Sequence, residues 1–128
     1  MAKQPMRGSL TAEQKEVLEN GATEAPFTGA LLRNKAAGTY TCAGCGATLF
    51  DSEAKFDSGS GWPSFYDALP DSVEFVEDNS HGMVRTEIRC ANCGGHLGHV
   101  FDDGPRDTTG MRYCVNSLAL EVNKKGKA

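Results

Sequence analysis

No apolar run in this chain approaches the length needed to span a bilayer. Its start, Met1-Ala2-Lys3-Gln4-Pro5, lacks the apolar stretch of a secretory signal. Positive charge is also in short supply: 13 lysines and arginines against 17 aspartates and glutamates give a formal charge of −4. That disfavours a nucleic-acid surface, which is normally basic. Tryptophan occurs once, at Trp62. The five cysteines do not pair off evenly, which is awkward for a disulfide framework. These absences point to a cytoplasmic protein with no membrane and no nucleic-acid partner.

What is present suits one compact core. With 128 residues the chain is long enough for one hydrophobic core and short for two, and its 15 glycines predict many turns and few long helices. Thr11 followed by Gln14 forms a capping-box pattern and Gly21 a stop, predicting a short surface helix over Ala12 to Asn20 that buries Val17 and Leu18. Period-two alternation then takes over. Val84, Thr86, Ile88 and Cys90 alternate with Arg85, Glu87 and Arg89. A second strong strand is expected from Arg112 to about Val122, with Arg112, Cys114, Asn116, Leu118 and Leu120 on one face and Tyr113, Val115, Ser117 and Ala119 on the other. Weaker strand signals lie at Gly38–Cys42, Thr48–Phe50, Val73–Val76 and Leu97–Phe101. The expectation is a single, mainly antiparallel β domain over residues 1–128, with flexible tails at 1–9 and 123–128.

Four of the cysteines form two CxxC turns, Cys42/Cys45 and Cys90/Cys93, each with glycine after the second sulfur. Two such turns brought together supply four thiolates, the donor set of a tetrahedral structural Zn²⁺. A thioredoxin-like redox CxxC would open a helix after a strand, and neither pair does so; two disulfides are the other competitor. With every position taken by sulfur, such a metal holds the fold and leaves no open site for catalysis.

Cys114 is left over. A lone strand cysteine is ordinarily a small buried hydrophobe, but Arg112 and Asn116 flank this one at i−2 and i+2 and so share its face. A cation beside a sulfur favours the nucleophilic thiolate. His96 and His99 are candidates for proton transfer near pH 7. They would point to opposite faces of a straight strand, so a bend, for which Gly98 is the candidate, is needed to bring both to one pocket. His81, ahead of Gly82-Met83, is a weaker candidate. Trp62 is either a hydrophobic plug or an apolar wall for a small group, and Asp57-Ser58-Gly59-Ser60-Gly61 before it is a flexible turn able to lie over a pocket.

With these motifs the sequence resembles the methionine-R-sulfoxide reductases of the B type from about Gly21 to Val122. The matching segments are Pro26-Phe27-Thr28-Gly29, Ser58-Gly59-Ser60-Gly61-Trp62-Pro63-Ser64-Phe65, Val84-Arg85-Thr86-Glu87-Ile88-Arg89-Cys90, His96-Leu97-Gly98-His99-Val100-Phe101 and Arg112-Tyr113-Cys114-Val115-Asn116-Ser117. The resemblance implies two antiparallel sheets in a tent-like arrangement, with the zinc on the far side from the active site. It implies that Cys114 is the nucleophile, that Trp62 packs on the substrate methyl, and that His96, His99, Phe101, Arg112 and Asn116 line the pocket, where His81 is a further substrate-binding candidate. The implied reaction is reduction of methionine-R-sulfoxide, free or protein-bound, through a sulfenic acid on Cys114 that thioredoxin or another thiol reduces. A monomer is expected.

One departure bears on recycling. Many members of that family carry a second cysteine where this chain has Ser60. Serine forms no disulfide, so either this is a one-cysteine member regenerated by an external thiol, or Ser60 is an engineered replacement. Three rival classes remain. A zinc-ribbon binding module explains the CxxC turns but not the Arg112/Cys114/Asn116 face. An adaptor module of the same β-tent shape lacks a reactive thiol. A thiol peroxidase needs no apolar methyl pocket.

Overall fold

The computed structural model describes residues 5–32, 34, 37–79 and 82–124. The helix α1 (Ala12–Asn20) occupies the predicted span, because its ends are fixed locally. The Thr11 hydroxyl accepts from the Gln14 backbone N–H at 3.1 Å, and the Gln14 carboxamide oxygen accepts from the Thr11 N–H at 2.9 Å. Gly21 then turns left-handed at φ 73°, a conformation that glycine adopts without strain. Val17 and Leu18 are the buried residues of this helix, which lies against the strand of the two histidines.

The strands are β1 (Gly38–Cys42), β2 (Thr48–Asp51), β3 (Lys55–Phe56), β4 (Ser64–Phe65), β5 (Val73–Asp78), β6 (Arg85–Cys90), β7 (His96–Phe101), β8 (Arg112–Val115) and β9 (Leu120–Lys124). They form two antiparallel sheets, β2-β1-β9 and β3-β4-β8-β7-β6-β5. The sheets meet at an aromatic seam: Phe50 of β2 stacks on Phe65 of β4 with centroids 4.3 Å apart, and Tyr40 of β1 meets Phe65 edge-on at 5.0 Å. Leu49, Ile88, Leu97 and Val115 complete this core. Each fully buried side chain of this size contributes on the order of 2 kcal/mol. Met6 packs against the core, and the Arg7 N–H donates to the Gly44 carbonyl at 2.7 Å, so the expected flexible tail at 1–9 is anchored at these two residues. No helix among the described residues is long and apolar enough to cross a membrane.

The structure corrects three strand readings. The expected strand from Arg112 to Val122 breaks at Asn116. A 3-10 turn at Ser117–Ala119 then carries the chain from the six-stranded sheet to the three-stranded one. Asn116 makes the break possible: its carboxamide donates to the Leu97 carbonyl and accepts the Glu24 N–H, each at 3.0 Å, so these polar groups are paired without a continuing ladder. Leu118 and Leu120 therefore do not share the Cys114 face. On β6 the alternation fails at its start, since Val84 is 79% exposed, and on its polar face Glu87 is buried. Finally, the bend in β7 sits at Leu97, not Gly98: Ile88 pairs with Gly98 and Arg89 with His96, leaving Leu97 as the extra residue of a bulge. Gly98 serves a different need, since a Cβ there would collide with the Cys114 carbonyl of β8.

Candidate active site and cysteine cluster

The two CxxC turns are built alike. Cys42 ends β1 and Cys90 ends β6; Gly46 N–H closes on the Cys42 carbonyl and Gly94 N–H on the Cys90 carbonyl, both at 2.8 Å. Both glycines have left-handed φ, 84° and 79°, which explains glycine after each second sulfur. The four sulfurs converge within 4.8 Å of one another, with Cys42 to Cys93 at 3.7 Å and Cys45 to Cys90 at 3.6 Å. A tetrahedron with metal–sulfur bonds of about 2.3 Å has edges of about 3.8 Å, so this group could hold a metal ion. Crowding sets the thiols against one another. A hydrogen bond from Cys42 brings Cys90 down to about 5, a hydrogen bond to Cys90 and burial push Cys42 up, and burial pushes Cys93 up to about 11. A bound cation would favour the thiolate form of all four.

Cys114 lies elsewhere, on β8 between β4 and β7, paired across the ladder with Ser64 and His99. It opens into a cleft of about 200 Å³ lined by Ser60, Trp62, His99, Phe101, Arg112 and Asn116, among others. The Trp62 indole N–H donates to the Glu24 carbonyl at 2.9 Å, which keeps the half-buried ring at the cleft wall. Phe101 is the cross-strand partner of Arg112, whose guanidinium carbon sits 4.4 Å above its ring. Asp103 holds the same guanidinium through two hydrogen bonds, at 2.8 and 3.2 Å.

The bulge brings the two imidazoles to the same side, with centroids 5.6 Å apart, but only His99 lines the Cys114 cleft; contrary to expectation, His96 lies in an adjoining pocket that His99 also reaches. Each has a carboxylate and an arginine behind it. His99 Nε2 lies 2.7 Å from Asp78, which is 3.4 Å from Arg85; His96 Nδ1 lies 2.6 Å from Glu87, which accepts from Arg89 at 3.0 Å. Burial lowers the pKa of His96 below that of an ordinary imidazole, against the pull of Glu87. Burial raises the Cys114 thiol above its ordinary value, opposed by the Arg112 charge and by hydrogen bonds from Ser60 and Arg112. His81 lies outside the described residues.

A family model described as "SelR domain" matches residues 10–124. The chain belongs to the SelR domain family. Curated relatives carry the name peptide methionine sulfoxide reductase MsrB. The one from Leptospira interrogans serogroup Icterohaemorrhagiae serovar Lai is 58% identical over 117 residues, covering 91% of this chain and 88% of its own length. That of Leifsonia xyli subsp. xyli is 59% identical over 116 residues (90% and 84%), and that of Methanosarcina mazei 56% over 117 (91% and 83%). Among solved structures, the Mis18 "Yippee-like" domain superposes with a TM-score of 0.54 at 24% identity, covering 71% of this chain and 99% of that one, a likeness of fold alone.

The SelR match encloses both the cysteine cluster and the cleft. Within it lie three residues that the sequence patterns did not single out. Glu24, Asp78 and Glu87 hold the proposed site residues in place. Glu24 is the hub: its carbonyl takes the Trp62 indole, its N–H goes to Asn116, and its carboxylate accepts the Leu118 N–H at 3.0 Å. Only Glu87 left a trace in the sequence, as an acid between Arg85 and Arg89. A larger cavity, about 800 Å³, is a different one, lined by Phe27, Tyr40, Lys55, Gly59 and Gly61 among others. It shares only the turn at 57–62 with the cleft and contains neither the thiol nor the imidazoles.

Proposed function

We propose that the chain is a peptide-methionine (R)-S-oxide reductase in which the Cys114 thiolate attacks the sulfoxide sulfur. The observation that carries this reading is that Cys114, Arg112, His99 and Trp62 share one small cleft. A sulfoxide sulfur becomes electrophilic when its oxygen is protonated or strongly hydrogen-bonded during attack. The site therefore needs a thiolate, a proton donor and an apolar slot for the methyl group.

In this reading Arg112 stabilises the thiolate, with Asp103 and Phe101 fixing its guanidinium. His99 delivers the proton, its Nε2 anchored on Asp78, with His96 as partner. Trp62 takes the methyl. Asn116, whose carboxamide is engaged at both ends, acts by tying the Glu24 segment and Trp62 to the end of β8. The thiol and the sulfoxide are converted to a sulfenic acid on Cys114 and a free thioether, so the oxygen moves from substrate to enzyme. Exchanging methyl and oxygen would set the oxygen against the indole, which gives the site a preference between epimers.

Zn²⁺ fits the four sulfurs of Cys42, Cys45, Cys90 and Cys93, and its part would be structural, clamping the end of β1 to the end of β6. Those four thiols are then unavailable to Cys114, and Ser60, which the resemblance aligns with a resolving cysteine, lines the cleft without a thiol. The sulfenic acid is consequently reduced from outside, by thioredoxin or a small thiol. A monomer in the cytoplasm, acting on free or protein-bound methionine-R-sulfoxide, completes the reading.

The test is a single turnover without reductant. Enzyme and sulfoxide should give a burst of one methionine per chain and then stall, with one added oxygen on Cys114 by mass spectrometry. An intramolecular disulfide to Cys114 would rule out the one-cysteine cycle.

A further inference from the structure

A row of hydroxyls runs from the buried strand β4 to the wall of the Cys114 cleft. Ser64, 1% exposed and cross-strand from Cys114, donates to the Trp62 carbonyl at 3.1 Å. Its oxygen lies 2.7 Å from Ser58 Oγ, and Ser58 Oγ lies 2.8 Å from Ser60 Oγ. Ser60 lines the same small cleft as Cys114, and its hydroxyl is among the influences that lower the pKa of that thiol. One end of this row is a carbonyl, which can only accept, and each hydroxyl carries a single proton.

That proton count constrains the chemistry. Three links of the row are hydrogen bonds of the structure, Ser60 to Ser58, Ser58 to Ser64 and Ser64 to the Trp62 carbonyl, and we infer a fourth between Ser60 and the sulfur that shares its cleft. With Cys114 as a thiol, four protons fill the four links, all pointing toward the carbonyl. With Cys114 ionised, only three protons remain for those four links. The negative sulfur claims the Ser60 proton, Ser58 and Ser64 reverse behind it, and the Ser64 oxygen faces the Trp62 carbonyl with no proton between them.

We propose that Ser58, Ser60 and Ser64 form a proton-ordered hydroxyl chain that gates ionisation of Cys114: Ser60 is a catalytic residue that donates to the sulfur, while Ser58 and Ser64 are positioning residues that hold its proton back. The proposal rests on Cys114 being the nucleophile. Ionisation is thereby coupled to the backbone of Trp62, the residue assigned to the substrate methyl. The charged or titratable groups that also face Cys114 are Arg112 on its own strand, His99 on β7, Arg85 on β6 and Glu24 before β1. None of these is altered by a serine substitution.

The chain makes a prediction of opposite sign for two neighbouring serines. The measurement is the pH dependence of Cys114 alkylation by iodoacetamide, followed by mass spectrometry on metal-replete protein. Ser60→Ala removes the donor to the sulfur, so the midpoint moves up and alkylation at pH 7 slows by about three- to tenfold. Ser58→Ala cuts the chain behind Ser60, freeing its proton for the sulfur at no lost link, so the midpoint moves down and alkylation speeds up by a similar factor. Ser60→Thr keeps the hydroxyl and should keep the original midpoint. Ser64→Ala should act as Ser58→Ala does, but it is buried and most prone to misfold, so the half-buried Ser58 carries the decision. Any result other than midpoints moving in opposite directions for Ser58→Ala and Ser60→Ala overturns the chain. Sulfoxide reduction by the unaltered protein is measured alongside, so that failure of the reductase reading is seen separately from failure of the hydroxyl chain.

Discussion

His99 and Cys114 occupy one register position of the ladder between β7 and β8. Directly opposed residues of an antiparallel pair project on the same face with their Cβ atoms about 5 Å apart. Backbone hydrogen bonds therefore set the imidazole beside the thiol, and the side chains need only supply the chemistry.

Asp78 lies 2.7 Å from His99 Nε2 on the edge strand β5. If it orients the proton donor, Asp78→Ala should lower sulfoxide turnover by about 10- to 100-fold. Alkylation of Cys114, which needs no proton delivered to an oxygen, should proceed at its original rate. Equal losses in both would make Asp78 a general structural support.

The Arg112 charge opposes the burial that raises the Cys114 thiol. Arg112→Ala removes that opposition, so the midpoint of Cys114 alkylation should move to higher pH. The rate at pH 7 should then fall about tenfold for every pH unit that the midpoint rises. A midpoint that stays in place would mean that the Arg112–Asp103 pair serves only the strand end.

Trp62→Ala should reduce kcat/KM by about 10- to 100-fold through loss of substrate placement. Alkylation of Cys114 should change far less, since the thiol keeps Arg112 beside it. If both fall together, Trp62 is a core residue and the methyl lies elsewhere.

The sequence showed the most where structure is decided locally. The capping box of α1 and the two CxxC turns are set within a few residues, and both were legible. The break at Asn116 was not, because period two continues through Leu118 and Leu120, while the bonds that end the strand reach Glu24 and Leu97, 92 and 19 residues away. The bulge at Leu97 is likewise a matter of register against β6. The thiol, imidazole and indole of the cleft could be named in advance as residue types. Their carboxylate partners could not, since Asp78 and Glu87 meet the imidazoles across strands and nothing in their local pattern marks that role.

Loss of one cluster thiolate should cost stability more than chemistry. Cys42→Ala should lower the metal content and drop Tm by more than about 10 °C, because metal binding energy at such a site is folding energy. A metal-free variant melting at the original temperature would remove the structural role.

The central claim is tested most directly by giving the protein both epimers of a blocked methionine sulfoxide with dithiothreitol and separating the remaining sulfoxides on a chiral column. The account predicts that the R epimer is consumed and the S epimer stays, and that Cys114→Ser, with fold and metal retained, loses at least about a thousandfold of that rate. Consumption of the S epimer, or substantial turnover by Cys114→Ser, would contradict it.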